Sequence, residues 1–288
     1  MENVIVSNQK EFNRLKENFR REGLNKIHIL ADFDKTLTKA FVNGQSVPSI
    51  ISILRDGNYL TLDYAKKAQG LYDKYHPFEV DLDIEKSEKK KMMEEWWRVH
   101  FNLLIKSGLN KKDIEQVIQS PQIQFREGFL EFVDLLKRDN IPLVIISSAG
   151  LGKESISLKI EKEGKLYDNI YIISNSFNWD ENGDAVSIKE PIIHGANKDE
   201  TSISASPEAF KAIKTRKNVI LIGDSLDDIG MVEGFNYENL IKIGFLNYFE
   251  NIEIDKYISK YQEIYDIVIT KDSSLVFLNY LLKEISIN

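Results

Sequence analysis

Ile27-His28-Ile29-Leu30-Ala31-Asp32-Phe33-Asp34-Lys35-Thr36-Leu37-Thr38 is the stretch whose reading decides the fold. Its first five residues form a short apolar run without the alternation of a half-exposed strand, so they read as a strand buried on both faces. Two carboxylates follow where that strand would emerge. Side chains at i and i+2 leave a strand on the same side, so Asp32 and Asp34 start out pointing together. Such a pair can hold a hard divalent cation. It can also divide the roles of nucleophile and acid.

Similar runs recur at 142–147, 169–174, 218–223, 240–244 and 266–270, and several are rich in Ile and Val. Helical patterns, such as 128–139 and 207–215, lie between many of them. This succession predicts an α/β fold with a doubly wound, mostly parallel sheet and right-handed crossovers. Ligands of such sheets bind outside the carboxyl ends of the strands. Between Thr38 and Phe125 the rhythm breaks into a long, charged, helical stretch. Within it, 87–108 places Met92, Met93, Trp96, Trp97, Val99, Leu103 and Leu104 at helical spacing. An insertion of this length exceeds a loop. The expected organisation is a catalytic core of 1–41 and 125–288 with a helical cap of 42–124. A smaller excursion at 177–194 carries an Asn-Gly turn and predicts a β-hairpin.

The bulk properties narrow the class. The chain has 288 residues, 42% of them hydrophobic, enough for an ordinary globular core. A net charge of -7 and a pI near 5.3 speak against a polymeric nucleic acid as partner, which would want a basic stripe. There is no cysteine, which removes disulfides and thiolate metal sites. No apolar stretch approaches the roughly 20 residues that span a bilayer. A cytoplasmic protein with no membrane and no obligate protein partner is the expectation.

Four sites fall at predicted strand ends: Asp32 with Asp34, Ser147-Ser148-Ala149-Gly150, Lys198, and Gly223-Asp224-Ser225-Leu226-Asp227-Asp228. Singly, each reads equally well as turn or capping chemistry or as a solvated lysine. Together they suit one task. An ionised Asp32 can attack phosphorus and form an aspartyl-phosphate. Each unit-charge pair between carboxylate and phosphate at roughly 4 Å costs about 4 kcal/mol at an effective dielectric near 20, so a cation must offset the approach. Mg²⁺ favours carboxylate and carbonyl oxygens together with substrate phosphate. Asp32, the Asp34 backbone carbonyl and Asp224 can supply protein ligands. Lys198 adds charge for the phosphoryl oxygens, and the Ser148 hydroxyl with nearby backbone N–H groups, Ala149 among them, fixes them. Asp34, protonated, can donate to the leaving alkoxide and then take a proton from water.

Asp-Phe-Asp-x-Thr-Leu-Thr, Ser-Ala-Gly, a separate Lys and Gly-Asp-Ser-x-x-Asp, in this order, resemble the haloacid-dehalogenase (HAD) superfamily of phosphotransferases. The resemblance makes Asp32 the nucleophile and Asp34 the general acid/base, gives Ser148 and Lys198 to the phosphate and Asp224 to Mg²⁺, and places Asp228 beside the metal, directly or through water. Glu94-Glu95-Trp96-Trp97, His100, Arg126-Glu127-Gly128, Ile192-Ile193-His194, Asn197-Lys198 and Ile243-Gly244-Phe245-Leu246-Asn247 more narrowly resemble the pyrimidine 5′-nucleotidase family (cytosolic 5′-nucleotidase III). That resemblance implies a helical cap at the inserted stretch and hydrolysis of CMP or UMP to nucleoside and phosphate, with phosphoryl transfer to other alcohols as an accompaniment. It also implies recognition of the base by Glu95, with Trp96 stacking on it. Another small phosphomonoester as substrate, 7-methyl-GMP or a phosphoserine-like one, and a non-catalytic nucleotide-binding protein are the alternatives. Four positions depart from the family pattern: Lys35, Ser147, Lys153 and Asp227.

Overall fold

The computed structural model describes residues 3–81, 83–199, 203–204, 206–248 and 254–287. Its main sheet has seven strands: β1 (Val4–Val6), β2 (Ile27–Ala31), β5 (Leu143–Ser147), β6 (Ile170–Ser174), β9 (Asn218–Gly223), β10 (Asn239–Leu246) and β11 (Ile267–Thr270). Each of the six apolar runs falls on one of these strands. In space the order is β1-β11-β10-β9-β2-β5-β6. All neighbours are parallel except β1, which pairs antiparallel with β11. The sequence reading missed β1, since three residues on a sheet edge leave no periodicity to see.

The chain moves outward from β2 through β5 and β6, then returns to the other side of β2 as β9 and moves outward again. The winding therefore reverses between β2 and β9, and a crevice opens at their carboxyl ends. Asp32 follows one of these strands and Asp224 the other.

Alternation along the strands divides the core into layers. Ile27, Ile29 and Ala31 pack with Ile220 and Ile222, under Phe12, Leu15 and Phe19 of α1 (Gln9–Glu22). Leu30, Val144, Ile146, Val219 and Leu221 face the opposite side, against Ala209 and Ile213 of the helix Pro207–Ile213 and against Met231.

His28 points to that second side. Its Nδ1 lies 2.9 Å from the Arg216 carbonyl oxygen and its Nε2 is buried without a partner. Burial holds its pKa down at about 4, against the opposing pull of that hydrogen bond. An unfolded histidine titrates near 6.5, so between pH 6.5 and about 4 the unfolded chain takes up a proton that the folded chain refuses, and stability falls as the pH drops through that window. Relative to the wild type, His28→Gln should gain up to about 3 kcal/mol between pH 7 and pH 4. Chemical unfolding at the two pH values measures this; a stability gap that does not change with pH contradicts it.

Between β2 and residue 125 the described residues carry a small ribbon, β3 (Phe41–Val42) with β4 (Gln45–Ser46), and four helices: α2 (Ile50–Asp56), α3 (Tyr64–Val80), α4 (Lys86–Lys106) and α5 (Lys111–Val117). One end of the α3–α4 pair has its own cluster of Tyr75, Met93 and Trp96. At the other end Tyr64, Ala68, Trp97, Phe101 and Leu104 join the main core. After α6 (Phe129–Arg138) and α7 (Gly152–Lys162), the hairpin expected at 177–194 appears as β7 (Phe177–Trp179) and β8 (Ala185–Ile188). Gly183, at φ +83°, makes its turn. The hairpin packs on the inserted helices, with the Ala185 N–H donating to the Leu109 carbonyl at 2.8 Å.

Candidate active site

At the mouth of the crevice, Asp32 is 5% exposed and its N–H donates to the Ile222 carbonyl at 3.0 Å, so the ladder between β2 and β9 fixes its backbone. Its Oδ1 accepts from Lys198 Nζ at 2.5 Å, and the same ammonium donates to Asp228 Oδ1 at 3.2 Å. Asp228 Oδ2 in turn accepts from the N–H groups of Asp224 and Ser225, each at 3.0 Å. Asp224 Oδ1 accepts from Thr36 Oγ1 at 3.1 Å. Gly223 permits this closeness, because a Cβ there would come within 2.5 Å of Asp228.

Oxygens of Asp32, Asp224 and Asp228 lie within 4.8 Å of one another. One lysine faces three carboxylates, and the electrostatics record the deficit. Burial, with Asp228 adding, pushes Asp224 up to about 7. Burial raises Asp32 well above its ordinary value against the pull of Lys198, with Asp228 and Asp224 adding to the rise. Burial opposes the charge of Lys198, yet Asp228 and Asp32 outweigh it and hold its pKa above the usual range. Three carboxylates against one ammonium leave a hard donor set two positive charges short, which is what a divalent cation fits. Asp34 also lines the site, and burial raises its pKa, with Lys198 and Lys35 working against the shift.

The loop carrying the two aspartates is braced from behind. Lys35 has φ +59°, and its carbonyl and that of Thr36 both accept from Arg126, the latter at 2.7 Å. Arg126 is 2% exposed and donates further to Asp272 Oδ1, the Ser273 carbonyl and Asn247 Oδ1, each at 2.7 Å. Sequence reasoning used Arg126 only as part of a family pattern and gave it no task.

From this cluster a cavity of about 480 Å³ runs toward the inserted helices. Asp32, Asp34, Ser148, Ala149, Lys198 and Asp224 line one end, and Tyr72, His76, Glu79, Trp96, Trp97 and His100 the other. Gly150 lets the two halves meet: a Cβ there would lie 2.9 Å from Ile51 and 3.0 Å from Trp97. Trp96 and Trp97 are both buried and both line the cavity, with ring centroids 5.8 Å apart.

Glu95 sits elsewhere. It is not among the residues lining this cavity; its carboxylate, half exposed, accepts from Tyr75 Oη at 2.5 Å and from Lys74 Nζ at 3.4 Å. One step along a helix turns a side chain by about 100°, so Trp96 can face the cavity while Glu95 ties α4 to α3 from outside. The carboxylate presented to the aromatic end of the cavity is Glu79. The signal was in the sequence: Tyr72, His76 and Glu79 recur at i, i+4 and i+7 on one face of α3.

Three of the four departures acquire physical roles. The Ser147 hydroxyl accepts from the Ala149 N–H at 3.3 Å. Asp227 is drawn to Lys89 of α4 at 3.3 Å, away from the other carboxylates. Lys35 lines the cavity and opposes the raised pKa values of Asp34 and Asp224. Nothing in the structure explains Lys153.

Known proteins extend this picture over nearly the whole chain. The family model described as pyrimidine 5′-nucleotidase (UMPH-1) matches residues 35–286. A 7-methylguanosine phosphate-specific 5′-nucleotidase of Gallus gallus is 33% identical over 267 residues, covering 92% of this chain and 90% of its own length. Its Mus musculus counterpart is 35% identical over 268 residues, with 92% and 87% covered. The crystal structure of cytosolic 5′-nucleotidase IIIB bound to cytidine superposes with a TM-score of 0.88 at 28% identity, over 99% of this chain and 94% of that one. An apo phosphoserine phosphatase, 19% identical with a TM-score of 0.52, shares the fold alone. With the strand order, the acidic cluster and these matches in agreement, the chain belongs to the pyrimidine 5′-nucleotidase (UMPH-1) family and is a 5′-nucleotidase, a phosphoric monoester hydrolase on the HAD fold.

Proposed function

We propose that the chain is a Mg²⁺-dependent 5′-nucleotidase that hydrolyses pyrimidine nucleoside 5′-monophosphates, CMP and UMP, through an aspartyl-phosphate on Asp32. The observation that carries the reading is one continuous cavity. It joins a lysine-bridged carboxylate cluster to an aromatic end that bears a single carboxylate, Glu79.

In the first step an Asp32 carboxylate oxygen forms a bond to phosphorus as the bond from phosphorus to O5′ breaks. Asp34, whose burial favours the protonated form, gives its proton to O5′. In the second step Asp34 takes a proton from water, the water oxygen bonds to phosphorus, and the acyl-phosphate bond to Asp32 breaks. Lys198 and Ser148 hold phosphoryl oxygens throughout. Asp32, the Asp34 carbonyl and Asp224 would hold Mg²⁺, with Asp228 orienting the loop from behind. The ion supplies positive charge that offsets the repulsion between carboxylate and phosphate. Residues 42–124 act as the cap that tests the base, and a cytosolic setting accompanies the reading.

At the far end a cytosine amino group suits the Glu79 carboxylate, and Trp96 offers a face for stacking. Replacing Glu79 with Gln should raise KM for CMP about tenfold, whereas Glu95→Gln should leave it within about twofold. Steady-state kinetics on CMP measures both; a larger effect at Glu95 returns base recognition to that residue. The second reading, 7-methyl-GMP as substrate, is favoured by the Gallus gallus and Mus musculus relatives, which are 7-methylguanosine phosphate-specific 5′-nucleotidases.

A further inference from the structure

The aromatic end of the cavity is flanked by charge in a way that the reaction does not use. Arg55, at the end of α2, lines the cavity, and its side chain is 18% exposed. Its guanidinium carbon lies 5.8 Å from the centroid of the Tyr72 ring. Tyr72 stacks on His76 with centroids 4.4 Å apart and planes 17° from parallel. His76 Nδ1 lies 2.9 Å from Glu79 Oε2. The sequence of groups along this wall is therefore cation, ring, ring, anion. The hydrogen bonds of Arg55 go to Asp56, at 2.9 Å from Nε and 3.5 Å from Nη2. Asp56 is 63% exposed and belongs to the solvent side. Solvent screens that pairing, whereas the guanidinium itself borders the cavity.

We infer that Arg55 is a specificity-determining residue: it makes the cavity select a neutral, dipolar base and disfavour a positively charged one. A neutral cytosine or guanine has an amino edge for Glu79 and carbonyl or ring-nitrogen acceptors for a guanidinium. A 7-methylated guanine has lost its N7 acceptor and carries a positive charge on the same ring. Aromatic faces and a carboxylate alone would welcome that charge, because a cation over a π-face and beside an anion is stabilised. Arg55 occupies the Tyr72 face with a cation of its own and sets like charge against like. On this basis the chain differs in base preference from relatives whose names specify 7-methylguanosine phosphate, despite sharing about a third of their residues.

The inference rests on the nucleotidase reading, and the matched pair GMP and 7-methyl-GMP tests it, since the two differ only in the methyl group and its charge. Initial rates are measured at slightly acidic pH, where the methylated base keeps its ring proton and full positive charge. The wild type should favour GMP in kcat/KM by about tenfold, equivalent to about 1.4 kcal/mol. Arg55→Met keeps an apolar stem against Tyr72 and removes the charge; it should lower the GMP to 7-methyl-GMP ratio about tenfold, while Arg55→Lys should hold the ratio within about twofold. Taking the ratio within each variant cancels any general loss of activity. A ratio unmoved in Arg55→Met overturns the inference. So does a wild type that prefers 7-methyl-GMP, a result that needs no variant to fold. Phosphate release from CMP but from neither guanine nucleotide overturns the inference alone, and release from none of the three overturns the nucleotidase reading and this inference with it. Turnover of both at a ratio indifferent to Arg55 overturns the inference alone.

Discussion

Replacing Asp32 with Asn should cut phosphate release from CMP by roughly a thousandfold or more, with no fall in thermal stability in the absence of added metal. The amide oxygen is a poor nucleophile and a weak ligand for a hard cation, so both proposed roles of Asp32 are lost together. Stability behaves differently. In the folded protein Asp32 is one of three crowded carboxylates, and burial with its neighbours makes its ionised form costly. Asn removes that cost, and Lys198 keeps Asp228 as its partner. A binding-site side chain that is unfavourable for the fold and indispensable to turnover is what a catalytic group looks like thermodynamically. Differential scanning calorimetry beside a phosphate-release assay reads both quantities. A variant that retains activity removes Asp32 as nucleophile. One that loses activity because it unfolds at a much lower temperature assigns Asp32 a structural role.

Arg126→Met should destabilise the protein by about 3–5 kcal/mol and lower kcat as well. The guanidinium is buried, and burial pulls its pKa down to about 10 against the opposing influence of Asp272 and Asp224, so it remains charged in the native protein at neutral pH. Met fills much of the space but leaves the Asp272 carboxylate without its cation and the Thr36 and Ser273 carbonyls without their donor, while the Lys35 carbonyl keeps only Asn247 Nδ2, at 2.9 Å. Asp272 also accepts from the N–H groups of Ala40 and Phe41, each at 2.9 Å, so the loss reaches the chain that follows the catalytic loop. The cation also rests 4.1 Å from the Phe245 ring centroid, a contact that Met only partly replaces. Urea unfolding gives the first quantity and steady-state kinetics the second. A stability change below about 1 kcal/mol contradicts the brace described here.

The degree to which sequence exposed these features follows from how local each one is. The apolar run 27–31 leading into Asp32 and Asp34 lies within a dozen residues, and the strand, its burial and the crevice beside it were all legible from that stretch and its repeats. The helical nature of 87–108 was legible from spacing, and Lys86–Lys106 is helical. The direction of each side chain on that helix was not. A shift of one residue separates Trp96 in the cavity from Glu95 outside it, and only the packing of α3 against α4 fixes the rotation. Glu79 was overlooked because its face of α3 mixes Tyr72 and His76 with charged neighbours and shows no apolar stripe. Arg126 joins positions 35, 36, 247, 272 and 273, and no local pattern encodes a contact over such separations. Lys198 is a surface-type residue by composition, and here it is buried with its ammonium donating to Asp32 and Asp228, partners far away in sequence.

Phosphate release by the wild-type chain from CMP, UMP, GMP and phosphoserine, each with Mg²⁺ and again with excess chelator, tests the central claim most directly. Expected is turnover of the nucleotides that depends on Mg²⁺, fastest with CMP and UMP, and little release from phosphoserine. Equal rates on all four, or turnover that survives the chelator, would contradict it.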